Sequence, residues 1–149
     1  MRTLTVLYDA GCGFCSACRR WLEGQRQLVN LEFIAAGSTE ALRRFPTLAV
    51  VEPEELVIVS DEGGVYRGAH AWIMCLWALE RYRPWAFRFA RPALLPLARS
   101  AFEWVSGTRQ GLSRLLGLPS DDDVVTALRT GRSCGSDRCD PARGQEKLR

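Results

Sequence analysis

An α/β fold is predicted by three features of this sequence. Short β-branched runs alternate with helical periods, a Cys-x-x-Cys pair stands where the first run gives way to the first helix, and a glycine turn joins the third and fourth runs. Residues 4–8 (Leu-Thr-Val-Leu-Tyr) have a strand's length and stop at Asp9-Ala10-Gly11. From Cys12 a helical period begins, with Phe14, Cys15, Cys18, Trp21 and Leu22 on one face and Arg19 and Arg20 on the other. Residues 31–35 (Leu-Glu-Phe-Ile-Ala) read as a second strand. Residues 39–45 read as a short helix, capped by Ser38 or Thr39 and stopped by Pro46.

Leu56-Val57-Ile58-Val59 is a continuous apolar run of the kind found in strands covered on both faces. Asp61-Glu62-Gly63-Gly64 supplies a hairpin turn, Val65-Tyr66-Arg67 the return strand, and Gly68 its end. Residues 69–82 are apolar nearly all round, as expected of a helix pressed on a sheet. The order is β-α-β-α-β-β-α, with the first three strands read as successive βαβ units. This is the thioredoxin-like topology, and a Cys-x-x-Cys beside a βαβ pattern is its redox signal. Beyond Pro84 two further helices are expected, at 92–105 and 109–116, with Gly107 and Gly111 marking their junction. The predicted organisation is one domain over 1–118, with a core over 3–83 and added helices over 84–117. A loosely ordered, flexible tail follows over 119–149, carrying the acidic run Asp121-Asp122-Asp123 and a short helix at 124–128.

At 149 residues, 47% hydrophobic and 25% charged, the chain has enough apolar surface for its own core. A net charge of +3 is too small to point to nucleic acid. Lys147 is the only lysine among 20 basic side chains, a bias expected of a GC-rich source. The opening apolar stretch is too short for a signal-peptide core. Residues 85–105 are broken by Arg88, Arg91 and Arg99, so no membrane span is expected there. A bacterial cytoplasm is the expected location. Between Arg81 and Arg114 seven arginines interleave with Trp85, Phe87, Phe89 and Trp104. Solvent faces of packed helices explain them better than peripheral membrane contact.

In a reducing compartment six cysteines do not read as a structural disulfide framework. The thiolate is the attacking species in disulfide exchange, and a helix N-terminus favours it through unpaired N–H groups and the helix dipole. Cys12 has that place. It is expected to be the attacking and more exposed thiol, with Cys15, one turn on, the more buried resolving thiol. Asp9 is a candidate proton acceptor or a turn residue, Tyr8 a neighbour of the pair, and Gly11 the flexible entry to the helix. Cys18 extends the spacing to Cys-x-x-Cys-x-x-Cys. Leu22 stands where a further iron–sulfur ligand would fall, so Cys18 reads as a buried helical thiol facing the core. Cys75 reads as packing, and His70, the lone histidine, as structural. Cys134 and Cys139, in a Gly/Ser/Asp/Arg stretch, are candidates for an accessory redox pair. No cofactor and no metal is expected. The competing readings are a metal module built from Cys12, Cys15, Cys18 and the tail thiols, and a thioredoxin-like interaction domain with no redox cycle.

Leu7-Tyr8-Asp9-Ala10-Gly11-Cys12-Gly13-Phe14-Cys15 resembles the YDGxCxxC signature of the DCC family of thiol–disulfide oxidoreductases. The stretch from Asp61 through Gly64-Val65-Tyr66-Arg67-Gly68-Ala69 is similar to that family's dGrvyrGa segment. Phe102-Glu103-Trp104-Val105 with Thr108-Arg109 resembles its later aromatic stretch, closed by Gly117. The resemblance covers about residues 4–117. It implies a thioredoxin-like fold, disulfide-reductase activity and a protein or small-molecule thiol or disulfide as partner. Ala10 stands where the family usually has glycine. Where thioredoxins carry a cis-proline before the third strand, this chain has Glu55, with Pro53 two residues earlier. Either a loop shift brings Pro53 into place or the substrate surface differs.

Overall fold

A computed structural model describes residues 1–48 and 56–129. In chain order the elements are β1 (Thr3–Tyr8), α1 (Gly13–Glu23), β2 (Asn30–Ala35), α2 (Thr39–Arg44), β3 (Val57–Ser60), β4 (Val65–Arg67) and α3 (Gly68–Ala78). Three helices extend this order: α4 (Arg83–Phe89), α5 (Leu95–Leu115) and α6 (Asp121–Arg129). The strands form one sheet in the order β2-β1-β3-β4. β1 is parallel to β2 and antiparallel to β3, and β3 is antiparallel to β4. Order and directions together are thioredoxin-like.

β1 lies inside the sheet and alternates between its faces. Leu4 and Val6 pack with Leu22 of α1 and Ala71, Cys75 and Ala78 of α3. Leu7 packs on the other face with Ile34, Ala41 and Val57, under α2. Every residue of β3 is buried, as the apolar run predicts. Gly63, at φ +86°, makes the hairpin turn, and the Ser60 hydroxyl accepts the Gly64 N–H at 2.9 Å. Ser38 caps α2, its hydroxyl accepting the Ala41 N–H at 3.1 Å.

Four sequence expectations are corrected. First, β2-α2-β3 is not a second βαβ unit, because β3 runs against β1. The apolar run of β3 has the same pattern in either direction, so its sense follows from its pairing partners, β1 on one side and the hairpin strand β4 on the other. Second, α3 ends at Ala78 rather than near Tyr82. Leu79 turns extended and bridges Gln27, and Leu28 N–H binds the Ala78 carbonyl at 2.8 Å, so pairing with the chain before β2 outcompetes another helical turn. Third, α5 is one helix of 21 residues that passes through both Gly107 and Gly111. Each glycine weakens a helix by only about 1 kcal/mol, which packing along α1 and α3 offsets. Fourth, the helix expected at 124–128 begins at Asp121. There the Ser120 hydroxyl accepts the Asp123 N–H at 3.1 Å while the Asp123 carboxylate accepts the Ser120 N–H at 3.2 Å. This is a reciprocal cap, and three aspartates in the first turn suit the positive end of the helix.

This topology positions the site. The C-terminal end of β1 delivers residues 9–12 to the start of α1. Leu7 pairs with Val57, so the entry to β3 arrives at the same place, and α5 crosses over α1 and α3. Pro53 and Glu55, the two residues weighed for the thioredoxin cis-proline position, lie outside the described residues. Among those described, no helix is long and apolar enough to cross a membrane.

Candidate active site

Cys12 is the N-cap of α1, and its sulfur accepts the Cys15 backbone N–H at 3.3 Å. Its own N–H binds the Asp9 carbonyl at 3.3 Å, closing the turn that ends β1. Cys12 and Cys15 approach to 3.0 Å. Both are free thiols. A hydrogen bond from the Cys15 thiol, then the Cys15 N–H, the Arg109 charge and the Ser113 hydroxyl, pull the Cys12 thiol down to about 6 against the opposing effect of burial. The same thiol–thiol bond, burial and the adjacent Cys12 charge push Cys15 well above the ordinary thiol range. One sulfur is thus disposed to carry charge at neutral pH and its neighbour to keep its proton.

Exposure is opposite to the sequence expectation. Cys12 is 5% exposed, while Cys15 is only partly covered. The cover comes from the end of α5 and from residues 117–123. The Phe14 N–H donates to the Ser113 hydroxyl at 2.9 Å. The Leu118 carbonyl lies directly over Gly13, where a β-carbon would sit 2.9 Å from the Leu118 carbonyl carbon. Beyond it Asp121 accepts hydrogen bonds from Tyr8 Oη at 2.8 Å, Arg19 Nε at 2.9 Å and Arg20 at 3.0 Å. Asp121 and Asp122 donate their N–H groups to the Ser16 hydroxyl at 3.0 Å and the Ala10 carbonyl at 3.3 Å. Burial alone would raise the Asp121 carboxyl, yet the Arg19 and Tyr8 bonds bring it below its ordinary value. Tyr8 is pushed up to about 12 by burial and by its bond to that carboxylate. Residues 119–122, the start of the segment read as a loose end, therefore bond to α1 and to the turn before it. Arg19 and Arg20, read as a solvent face, are the basic partners of Asp121.

The Asp9 carboxylate meets two groups among the described residues. Its Oδ1 accepts the Gly11 N–H at 2.9 Å, the turn role, and its Oδ2 lies 3.7 Å from the Arg109 guanidinium. Gly11 is exposed beside a groove of about 410 Å³ that reaches Cys12, Gln110, Ser113 and Asp123. Cys15 and Cys18 instead face an apolar cavity of about 80 Å³ walled by Phe14, Leu56, Trp72, Phe102 and Val105. Burial raises the Cys18 thiol to about 11. Cys75 is fully buried in the core, and His70 is exposed beside a different depression with Arg67 and Arg99. Among the described residues no three His, Cys, Asp or Glu side chains converge as a metal-binding group. Cys134 and Cys139 lie outside the described residues.

Arg109 and Ser113, one helical turn apart on α5, were absent from the sequence-derived site. Their signal was available: the stripe Phe102, Val105, Arg109, Leu112 is a buried-face period with an arginine in it.

The Cys12 shift has a signed consequence for the reduced protein. Unfolded, Cys12 titrates near 9; folded, near 6. Between these values the unfolded chain holds a proton that the folded one lacks, so stability rises with pH by at most about 1.4 kcal/mol per pH unit. The gain is lost as pH falls through about 6, and the raised Cys15 opposes it above about 9. Urea unfolding of the reduced protein should show a midpoint rising from pH 6 to 8.5, and Cys12→Ser should flatten that slope. A flat wild-type curve would contradict the shift.

Searches of curated proteins and of solved structures gave no match. A family model described as DCC1-like thiol-disulfide oxidoreductase matches residues 6–115, a span that contains Cys12 and Cys15, the second half of β1, the other three strands and α5. An N-capping cysteine with raised acidity, its Cys-x-x-Cys partner in contact, a thioredoxin-like sheet and a match over most of its length together place this chain in the DCC1-like thiol-disulfide oxidoreductase family.

Proposed function

We propose that the protein is a disulfide reductase of the cytoplasm, with Cys12 attacking and Cys15 resolving. The observation that carries this reading is the Cys12 sulfur accepting a backbone N–H at the α1 N-terminus, with the protonated Cys15 thiol against it. The Cys12 thiolate attacks one sulfur of a partner disulfide, forming a mixed disulfide and releasing the partner's other sulfur as a thiolate. Cys15 then attacks the Cys12 sulfur. The mixed disulfide breaks, the second partner thiol leaves, and Cys12–Cys15 closes. Two electrons pass from the dithiol to the substrate, and an external thiol reductant restores the pair. The groove of about 410 Å³ beside Cys12 suits a small-molecule disulfide as the structure stands. A protein disulfide requires residues 117–120 to move off Gly13. Cys134 and Cys139 are accessory in this reading, since their Gly/Ser/Asp/Arg sequence carries no strand-and-helix pattern, whereas the α1 pair stands at a strand-to-helix junction.

Iodoacetamide labelling against pH, followed by peptide mass mapping, tests the assignment. Cys12 should label first, with a midpoint near 6 rather than the ordinary 9. A Cys15→Ser variant should accumulate a Cys12 mixed disulfide with its substrate. Preferential labelling of Cys15, or no trapped adduct, would overturn the roles.

A further inference from the structure

The exchange between Cys12 and Cys15 leaves a buried charge unexplained. Arg109 is 8% exposed, yet it projects from α5 among Phe102, Val105, Phe14 and Trp72. A cation in such surroundings is strongly disfavoured unless it is paired. One end of its fork lies 3.7 Å from Asp9 Oδ2, and Nη1 is 3.7 Å from Cys15 Sγ. Asp9 is itself held by the Gly11 N–H, so the guanidinium is fixed from behind and directed at the sulfur.

Cys15 needs such a neighbour more than Cys12 does. The α1 N-terminus serves Cys12, and the Cys15 N–H is spent on that sulfur. When Cys15 must itself become the nucleophile, its charge forms beside an apolar cavity with no helix-end donor. In low-dielectric surroundings a fixed cation a few ångströms away is worth far more than in water. The other groups that face Cys15 are Tyr8 and Asp9 at the end of β1, Cys12 at the head of α1 and Cys18 within it. Arg19 and Asp121 stand behind Tyr8. Leu56 before β3 and Trp72 of α3 bring no charge. Arg109 is the cation among these that touches Cys15.

We propose that Arg109 is a catalytic residue of the second step, its guanidinium holding the negative charge that forms on Cys15 Sγ as that sulfur attacks the Cys12 mixed disulfide. Asp9 is the positioning residue that orients it. The step is balanced: Cys15 loses its thiol proton to solvent, the Cys12–Cys15 bond forms and the Cys12–partner bond breaks. The departing partner thiolate takes up one proton. No further oxidant enters, because the electrons stay within the dithiol and its substrate. The inference rests on the exchange order given above.

The test is stopped-flow reaction of the reduced full-length chain, carrying Cys134→Ser and Cys139→Ser, with 5,5′-dithiobis(2-nitrobenzoate). The first thionitrobenzoate released reports attack by Cys12, and the second reports resolution by Cys15. Arg109→Gln should slow the second release about tenfold to a hundredfold at pH 7 and move its pH midpoint upward. The first release should change by less than about fivefold, since Arg109 is a lesser influence on Cys12. Arg109→Lys should restore the second release at pH 7. Its profile should turn down at high pH as the lysine deprotonates, whereas arginine stays charged. If Arg109→Gln fails to fold, that downturn in Arg109→Lys decides the matter, and its absence overturns the proposal. An unchanged second phase in Arg109→Gln, or equal slowing of both phases with unmoved midpoints, also overturns it. A first adduct on Cys15 overturns the exchange order and this role with it. A first adduct on Cys12 with an unchanged second phase overturns only the role of Arg109.

Discussion

Cys12→Ser abolishes reduction of a protein disulfide in the presence of excess chemical reductant, by at least about a thousandfold, while the double variant Cys134→Ser/Cys139→Ser keeps turnover. The expectation follows from what serine cannot supply. Its hydroxyl can still cap α1, so the fold should survive. It carries no anion near neutral pH and forms no mixed disulfide. Capping by serine is at least as good as by cysteine, and unfolding measurements should show little loss at pH 6. Cys15→Ser differs in kind, because it leaves the attacking thiolate and removes the resolving one; turnover stops with Cys12 bound to substrate. The tail thiols are changed by point substitution rather than by truncation, since cutting after Gly117 would strip residues 118–122 from α1 and uncover Ser16, which is fully buried. Turnover that persists in Cys12→Ser and disappears in the double variant would relocate catalysis to the tail.

Gly13→Ala should displace the segment over the site. Helix propensity alone predicts a gain of about 0.5–1 kcal/mol, because glycine is a poor residue inside a helix. The new methyl group, however, would fall within the Leu118 carbonyl, a backbone group that no side-chain rotation can clear. Overpacking of this sort typically destabilises by about 1–3 kcal/mol, so the clash wins. The cheapest relief is for residues 117–120 to lift, which uncovers Cys12. Two measurements should move together: a lower thermal midpoint, and faster alkylation of Cys12 at a fixed thiolate fraction. Asp121→Ala loosens the same segment without touching Gly13 and should accelerate alkylation as well, by removing the acceptor for Tyr8, Arg19 and Arg20. Unchanged alkylation in both variants would show that this segment does not limit access to the thiol.

Local physics accounts for what was legible without the fold. The order of strands and helices through residue 78, the hairpin at Gly63 and the Ser38 cap are written in period, turn chemistry and capping residues, all of which act over a few positions. The place of Cys12 at the head of α1 was legible for the same reason. Contacts between residues far apart in the chain were not. Whether β3 runs with or against β1 is decided by its pairing across the sheet, and the strand's own pattern is the same either way. Gly107 and Gly111 read as a break in isolation, and only packing on α1 and α3 keeps α5 continuous. The expectation that Cys12 is the exposed thiol reasoned from α1 alone, whereas Leu118, more than a hundred residues away, lies over the adjacent Gly13, and Cys12 is buried. The basic side chains show the difference most directly: Arg19 and Arg109 are surface residues by composition and become a latch partner and a thiol neighbour by position. One sequence thus determined the proposed nucleophile's place at the head of α1 and the elements around it. Its tertiary packing decided the nucleophile's cover and the charges around the pair, because burial and Coulomb interaction depend on distances in space that local sequence patterns do not encode.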